Sequence, residues 1–263
     1  MNKTAVITGA ASGLGFELSR LLARHNYMLI LIDINIENLN KAEDELINEF
    51  ETNVIRIEAD LGKPNAPEEI YEKIRGYNVD ILINNAGYGL SGAFSETDWK
   101  HEESMIYLHV LTPTHLTKLV LKDMLQRGNG RIMNISSVAA LGPGPLMSVY
   151  YATKAYLVSF GTAVAYELKG SGVTMTTFCP GMIKTDFKSS VAKRSRVPKM
   201  SDGVFTDNAE RIAKIAFKAM MKGKAVHIPL LKNKALAFML WILPSGISAL
   251  LIKKIQENIH KQR

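Results

Sequence analysis

Thr4-Ala5-Val6-Ile7-Thr8-Gly9-Ala10-Ala11-Ser12-Gly13-Leu14-Gly15 is the stretch that decides the fold. Thr4–Thr8 is a short apolar run closed by glycine, the pattern of a buried strand. From Gly13 on, Leu14, Leu18, Leu21 and Leu22 recur at helical spacing, which predicts a helix over Gly13–His25. The turn between them carries Gly9, Gly13 and Gly15 as G-x-x-x-G-x-G, with Ser12 and Leu14 beside them. Glycine lets a backbone approach a ligand that a side chain would hold off. A helix starting at such a turn aims free N–H groups and a positive dipole end at an anion. Strand, glycine turn and helix predict a corner that holds the pyrophosphate of a dinucleotide, although an ordinary tight βα turn uses the same residues.

The alternation continues along the chain. Candidate strands lie at Met28–Asp33, Val54–Ala59, Ile81–Asn84, Gly130–Ile135, Thr174–Cys179 and Ala225–Ile228. Candidate helices lie at Ile36–Phe50, Ala66–Gly76, Asp98–Arg127 and Tyr151–Lys169. Several strands are rich in Val, Ile and Leu without strict alternation, as in parallel sheets covered on both faces. The 263 residues, without repeat or linker, predict one Rossmann-type α/β domain with a doubly wound parallel sheet over residues 1–230. Residues 231–263 are expected to form a helical C-terminal extension rather than an independent domain. Ligands in such sheets bind beyond the carboxyl ends of the strands.

Asp33 stands at such an end, eighteen residues after Gly15. A carboxylate there accepts hydrogen bonds from both ribose hydroxyls and repels a 2′-phosphate. Ile34, Asn35 and Ile36 follow, so no neighbouring cation offsets that repulsion. NAD is expected over NADP. A turn-forming or helix-capping aspartate is the alternative.

Tyr150 and Lys154 lie one helical turn apart and project from one face, with Ser137 thirteen residues upstream. A phenol with its usual pKa near 10 is a poor base, but a nearby ammonium and the charge of a bound nicotinium favour the phenolate. Tyr150 can then exchange a proton with an alcohol or carbonyl oxygen that Ser137 holds. Tyr151 lacks the spacing to Lys154, points about 100° away on a helix, and reads as packing or substrate wall.

These motifs resemble the short-chain dehydrogenase/reductase family over roughly residues 3–187. The glycine turn is similar to its T-G-x-x-x-G-x-G. Asp60-Leu61 resembles the pair beside the adenine, and Asn84-Asn85-Ala86-Gly87 the N-N-A-G bordering the cofactor. Asn134-Ile135-Ser136-Ser137 precedes the catalytic region, and Tyr150–Lys154 contains Y-x-x-x-K. Pro180-Gly181-Met182-Ile183-Lys184-Thr185 resembles the P-G-x-x-x-T that meets the nicotinamide. The resemblance implies that Lys154 also binds the nicotinamide ribose and that the protein forms a homodimer or homotetramer. It further implies that residues 186–207 form a lid over the substrate, disordered without cofactor. His109 departs from the pattern, because the family usually places an asparagine near there, in the long helix, where it supports a local kink and a bound water that continues a proton relay from the lysine to solvent. The histidine is expected to hold that water, to serve as the relay itself, or simply to pack between helices; His109→Asn is expected to retain or increase turnover.

Leu141, Leu146 and Met147, with Gly142-Pro143-Gly144-Pro145, suggest an apolar pocket wall and a hydrophobic substrate. Ala235–Ile252 carries no charge and is flanked by Lys232, Lys234, Lys253 and Lys254. Pro244 divides it into two short helices. They are expected to cover the substrate pocket and pair subunits, to lie in a membrane interface as a peripheral contact, or to span a bilayer. Residues 184–263 hold 17 of the 32 Lys/Arg and 5 of the 25 Asp/Glu, a net +12, against −5 for residues 1–183. This tail is either a solvated surface or an attraction to anionic lipid or acidic substrate. The basic residues are scattered without a recognition motif, which argues against nucleic acid. Cys179 is the only cysteine, so no internal disulfide and no Cys/His metal site is expected. The first strand begins too early for a signal peptide, so a cytoplasmic protein is expected, with membrane association open through the tail.

The expected activity is interconversion of a hydroxyl and a carbonyl on an apolar molecule by hydride transfer with NAD, NADP being the alternative. The other readings are an NADPH-dependent reductase of 3-oxoacyl or steroid-like carbonyls, and a catalytically weak dinucleotide sensor or membrane-surface scaffold.

Overall fold

A computed structural model of the chain describes residues 3–185, 191, 195 and 206–261. The lid expected at 186–207 falls largely outside them. Seven parallel strands run β1 Lys3–Thr8, β2 Tyr27–Asp33, β3 Val54–Glu58, β4 Val79–Asn84, β5 Gly130–Ile135, β6 Val173–Phe178 and β7 Val226–His227. Their order across the sheet is β3-β2-β1-β4-β5-β6-β7. The order reverses between β1 and β4, so a crevice opens beyond their carboxyl ends.

The continuous apolar runs have a direct cause. Ala5 and Ile7 of β1 and Leu29 and Leu31 of β2 face one layer of helices. That layer is α1 Gly13–Arg24, α2 Ile36–Phe50 and α7 Ala209–Met221, which bring Leu18, Leu22, Leu39, Ala213 and Met220. Val6, Ile30 and Ile32 face the opposite layer. There α3 Ala66–Ile74 and α5 Thr112–Arg127 supply Ile70, Ile74, Leu116 and Val120, beside α6 Ser148–Glu167. Both faces of each central strand are dry, so neither tolerates the polar alternation of a half-exposed sheet.

The helix expected over 98–127 is three pieces. α4 Trp99–Ile106 passes through one π-helical turn, Tyr107–Leu111, into α5. Pro113 stands in the first turn of α5 and donates no backbone hydrogen bond, so the ladder must loosen upstream. The widened turn carries His109. Helix α6 begins at Ser148, three residues earlier than expected, which sets Tyr150 in its first turn. The tail folds as α8 Leu231–Ile242 and α9 Ser245–Lys261, broken at Leu243-Pro244 as its sequence predicts.

Candidate active site

The glycine turn is held open by its neighbours. Gly9 and Gly13 adopt φ of 63° and 56°, in the left-handed region. A Cβ on Gly15 would lie 2.1 Å from the Gly9 carbonyl oxygen, so only glycine permits the tight passage into α1. Asn85 Nδ2 donates to the carbonyls of Thr8 and Gly9, both at 3.0 Å. The Thr8 hydroxyl oxygen accepts from the N–H groups of Asn85 at 2.9 Å and Ala86 at 3.1 Å. Thr8 thus ties β1 to the strand across the crevice, a role its sequence did not signal. Asn84 Nδ2 donates to Asn134 Oδ1 at 2.9 Å and Thr117 Oγ1 at 3.1 Å, which ties β4, β5 and α5 together.

Asp33 lies at the end of β2. Its carboxylate accepts from the N–H of Ala11 in the glycine turn and of Asn35, each at 3.0 Å. It therefore shapes the turn besides facing the crevice. Asp60 Oδ1 accepts from the Gly62 N–H at 3.0 Å, while Leu61 is buried. On the far side, the Thr185 methyl would lie 2.9 Å from a Cβ on Gly13. Ile183 bridges to Asp207, and the Pro180 carbonyl accepts from the Val138 N–H at 2.9 Å. Gly181 approaches Asn233 of α8 so closely that a Cβ would meet its Oδ1 at 2.6 Å. Asp33, the glycine turn and Thr185 meet where the glycines leave the backbone uncovered, an arrangement that suits the pyrophosphate of a dinucleotide.

Beyond the carboxyl ends of the strands, beside the glycine turn, Ser137, Tyr150 and Lys154 converge. Ser137 follows β5, and its hydroxyl oxygen accepts from the Ala139 N–H at 3.1 Å. It also hydrogen-bonds Tyr150, which acts to lower the phenol's pKa. Burial outweighs that bond and pushes the phenol well above its usual 10. Lys154 Nζ stands 5.8 Å from the Tyr150 ring centre and donates to the Ile135 carbonyl at 3.1 Å. Burial pushes its ammonium down to about 8. Burial in the protein thus favours the protonated phenol, and the Ser137 hydroxyl opposes it. Cys179 is buried nearby and its thiol is raised to about 12, so it is inert as a nucleophile.

His109 is enclosed between these parts. Its Nε2 accepts from the Tyr88 N–H at 3.2 Å. Its Nδ1 lies 3.0 Å from Thr153 Oγ1, whose hydroxyl proton goes to the Tyr150 carbonyl at 2.8 Å. Hydrogen-bond accounting therefore assigns the Nδ1–H tautomer, with both ring nitrogens engaged. Burial, and then the Lys154 charge, hold the ring neutral, well below its usual pKa. Beside it a cavity of about 10 Å³, room for one water, is lined by Thr8, Asn84, His109, Ile135 and Lys154. Thr153, which had no sequence signal of its own, thus anchors His109 to the first turn of α6.

One flank of Tyr150 is apolar. Tyr88, Leu90, Met105 and Met147 cluster with Tyr150. Leu146 holds φ of 66°, an unfavourable conformation for a leucine, and its carbonyl accepts from the Gly92 N–H at 2.8 Å. Gly144 lies against the Tyr151 ring, and Gln256 of α9 hydrogen-bonds Tyr151 and reaches Met147 Sδ at 3.5 Å. Gln256 is 109 residues from Met147, so the sequence offered no sign of this contact.

A short chain dehydrogenase family model matches residues 3–196. The chain belongs to that family. It is an oxidoreductase that works with a nicotinamide dinucleotide at a hydroxyl or carbonyl carbon. It is 31% identical to mouse 17-beta-hydroxysteroid dehydrogenase type 3 over 94% of this chain and 78% of that one. It matches the rat protein of the same name at 32% identity, over 77% of this chain and 66% of that one. It is 33% identical to oxidoreductase UcpA of Escherichia coli over 80% of each chain. A short-chain dehydrogenase from Sphingobium yanoikuyae, solved with NADPH, superposes with a TM-score of 0.80 at 26% identity, covering 99% of this chain and 98% of that one.

Proposed function

We propose that this protein interconverts a secondary hydroxyl and a ketone on a bulky apolar molecule, using NAD(H). The convergence of Ser137, Tyr150 and Lys154 beyond the carboxyl ends of the strands, beside the glycine turn, carries this reading. When bound, the nicotinamide gives or takes the hydride. Tyr150 exchanges the proton with the substrate oxygen, and Ser137 holds that oxygen through its hydroxyl. Lys154 places a positive charge behind the phenol and reaches toward the ribose. His109 fixes Tyr88 against the first turn of α6 and acts as a positioning residue rather than a proton carrier.

Asp33 supports NAD over NADP, because its carboxylate repels a 2′-phosphate and the next three residues carry no cation. NADPH binding more tightly than NADH would contradict this preference. The apolar cluster packed beside Tyr150, with Leu90 and Met147 in it, together with a relative named for hydroxysteroids, supports a bulky apolar substrate.

The test is NAD⁺ reduction at mildly alkaline pH over secondary alcohols from short chain to steroid. Turnover should rise with apolar bulk, and Tyr150→Phe should abolish it while NADH binding persists. Undiminished turnover in Tyr150→Phe would reject the assignment.

A further inference from the structure

The C-terminal helices have their polarity inverted. A surface helix ordinarily buries its large apolar residues and exposes its polar ones. On α9 the buried column is Ser248, Ile252 and Gln256, at intervals of four, while Ile247, Leu250, Leu251 and Ile255 are exposed. On α8 Asn233 and Leu240 face inward, while Leu231, Leu236, Phe238, Met239, Trp241 and Ile242 face outward. Trp241 is 80% exposed and Leu250 69%. A contiguous face of this kind calls for a partner.

Charge selects that partner. From Arg211 to Gln256 the chain has nine Lys/Arg and no Asp or Glu. Lys234 and Lys254 stand exposed beside the apolar residues, whereas Lys232 pairs with Asp207 at 2.8 Å and Lys253 with Glu257 at 3.7 Å. Two copies of this chain meeting face to face would bring those lysines together. An anionic lipid surface complements them and takes up the apolar side chains. Among the described residues no helix is long and apolar enough to cross a membrane. α8, with 12 residues, is about 18 Å long against a hydrocarbon core of about 30 Å.

We propose that the α8–α9 hairpin docks in the plane of an anionic membrane, with Phe238, Trp241 and Leu250 inserted and the lysines at the headgroups. The inner side of the same hairpin forms part of the active-site surroundings. Leu240 and Ile252 approach Gly142, each within 3.7 Å of where its Cβ would lie, and Gln256 bonds Tyr151. Docking therefore sets the mouth of the Tyr150 site at the lipid surface. The docking claim rests on the hairpin alone and stands whether or not the proposed reaction is correct.

The test is co-sedimentation of the full chain with vesicles of phosphatidylglycerol and phosphatidylcholine, beside phosphatidylcholine alone. A Trp99→Phe background leaves Trp241 as the only tryptophan, so brominated lipid reports its depth. The expected result is selective binding to the anionic vesicles, weakened by salt, with Trp241 quenched. Trp241→Ser and Leu250→Ser should each lower partitioning at least about tenfold, which is about 1.4 kcal/mol. Both side chains are exposed, so these variants should keep their NADH affinity, and retained affinity confirms the fold. Equal binding to neutral vesicles, or no binding to either, would overturn the proposal. A dimer that Leu250→Ser converts to monomer, without vesicle binding, would assign the face to a second copy.

Discussion

At the residue scale, the site stores free energy in buried groups that are poor at carrying charge. The Lys154 ammonium is pushed down to about 8 from 10.5 by burial. Below about pH 8 the folded protein holds a buried charge, and the penalty is full. Between about 8 and 10.5 the folded state has released the proton and the unfolded state has not, so stability rises with pH. Above that window the penalty is gone. Lys154→Met should therefore abolish turnover yet stabilise the fold at pH 7 by about 1–3 kcal/mol, the shift less the lost bond to Ile135. Urea midpoints at pH 7 and pH 10.5 read this directly, and the gain should vanish at the higher pH. His109 has the same sign at lower pH. Its pKa is depressed, so its contribution is present above about 6.5 and is lost on acidification, as the unfolded state takes up a proton that the folded state refuses. His109→Asn keeps a polar group for Thr153 and should retain turnover with a shallower acid slope. His109→Leu removes the acceptor of the Tyr88 N–H, while the Thr153 hydroxyl keeps its bond to the Tyr150 carbonyl, and should cost about 1–3 kcal/mol. Collapse of turnover in His109→Asn, with the fold intact, would show that the imidazole carries the proton itself.

At the element scale, the glycine turn and the π-helical turn aim the groups. Gly15→Ala places a methyl 2.1 Å from the Gly9 carbonyl, and the turn can accommodate it only by opening. NADH affinity should fall at least about tenfold, while the sheet, buried on both faces, persists. Fluorescence titration with circular dichroism separates the two effects, and unchanged affinity would mean that the turn does not hold the dinucleotide. Most elements were legible in the sequence because their signals are local. The apolar runs of β1 and β2 reflect burial on both faces, and the leucines of α1 keep strict helical spacing. The resemblance implied a kink near His109, but not its π-helical form, which arises from Pro113 together with the packing that places His109 against Tyr88 and Thr153. The early start of α6 was missed for a similar reason: Ser148, Val149 and Tyr150 enter the helix behind Met147, whose N–H donates to the Gly144 carbonyl of the Gly-Pro loop.

At the scale of the whole molecule, the sequence displayed the glycine turn and the three converging residues because their spacing along the chain is diagnostic. It did not display what closes the apolar flank of Tyr150. Gln256, Tyr151 and Met147 meet only through the return of the tail across the end of the sheet. Nor did it show that Asp33 holds the glycine turn through Ala11 while facing the crevice. Charge and exposure thus set the basic, outward-apolar hairpin apart from the acidic body that carries the glycine turn and Tyr150. The central claim is that Tyr150 exchanges a proton while hydride passes between substrate carbon and dinucleotide. The fate of deuterium from a secondary alcohol labelled at its carbinol carbon tests it most directly. Singly deuterated NADH from the wild type, and none from a Tyr150→Phe protein that still binds NADH, is the predicted result. Label transfer undiminished in Tyr150→Phe would contradict it.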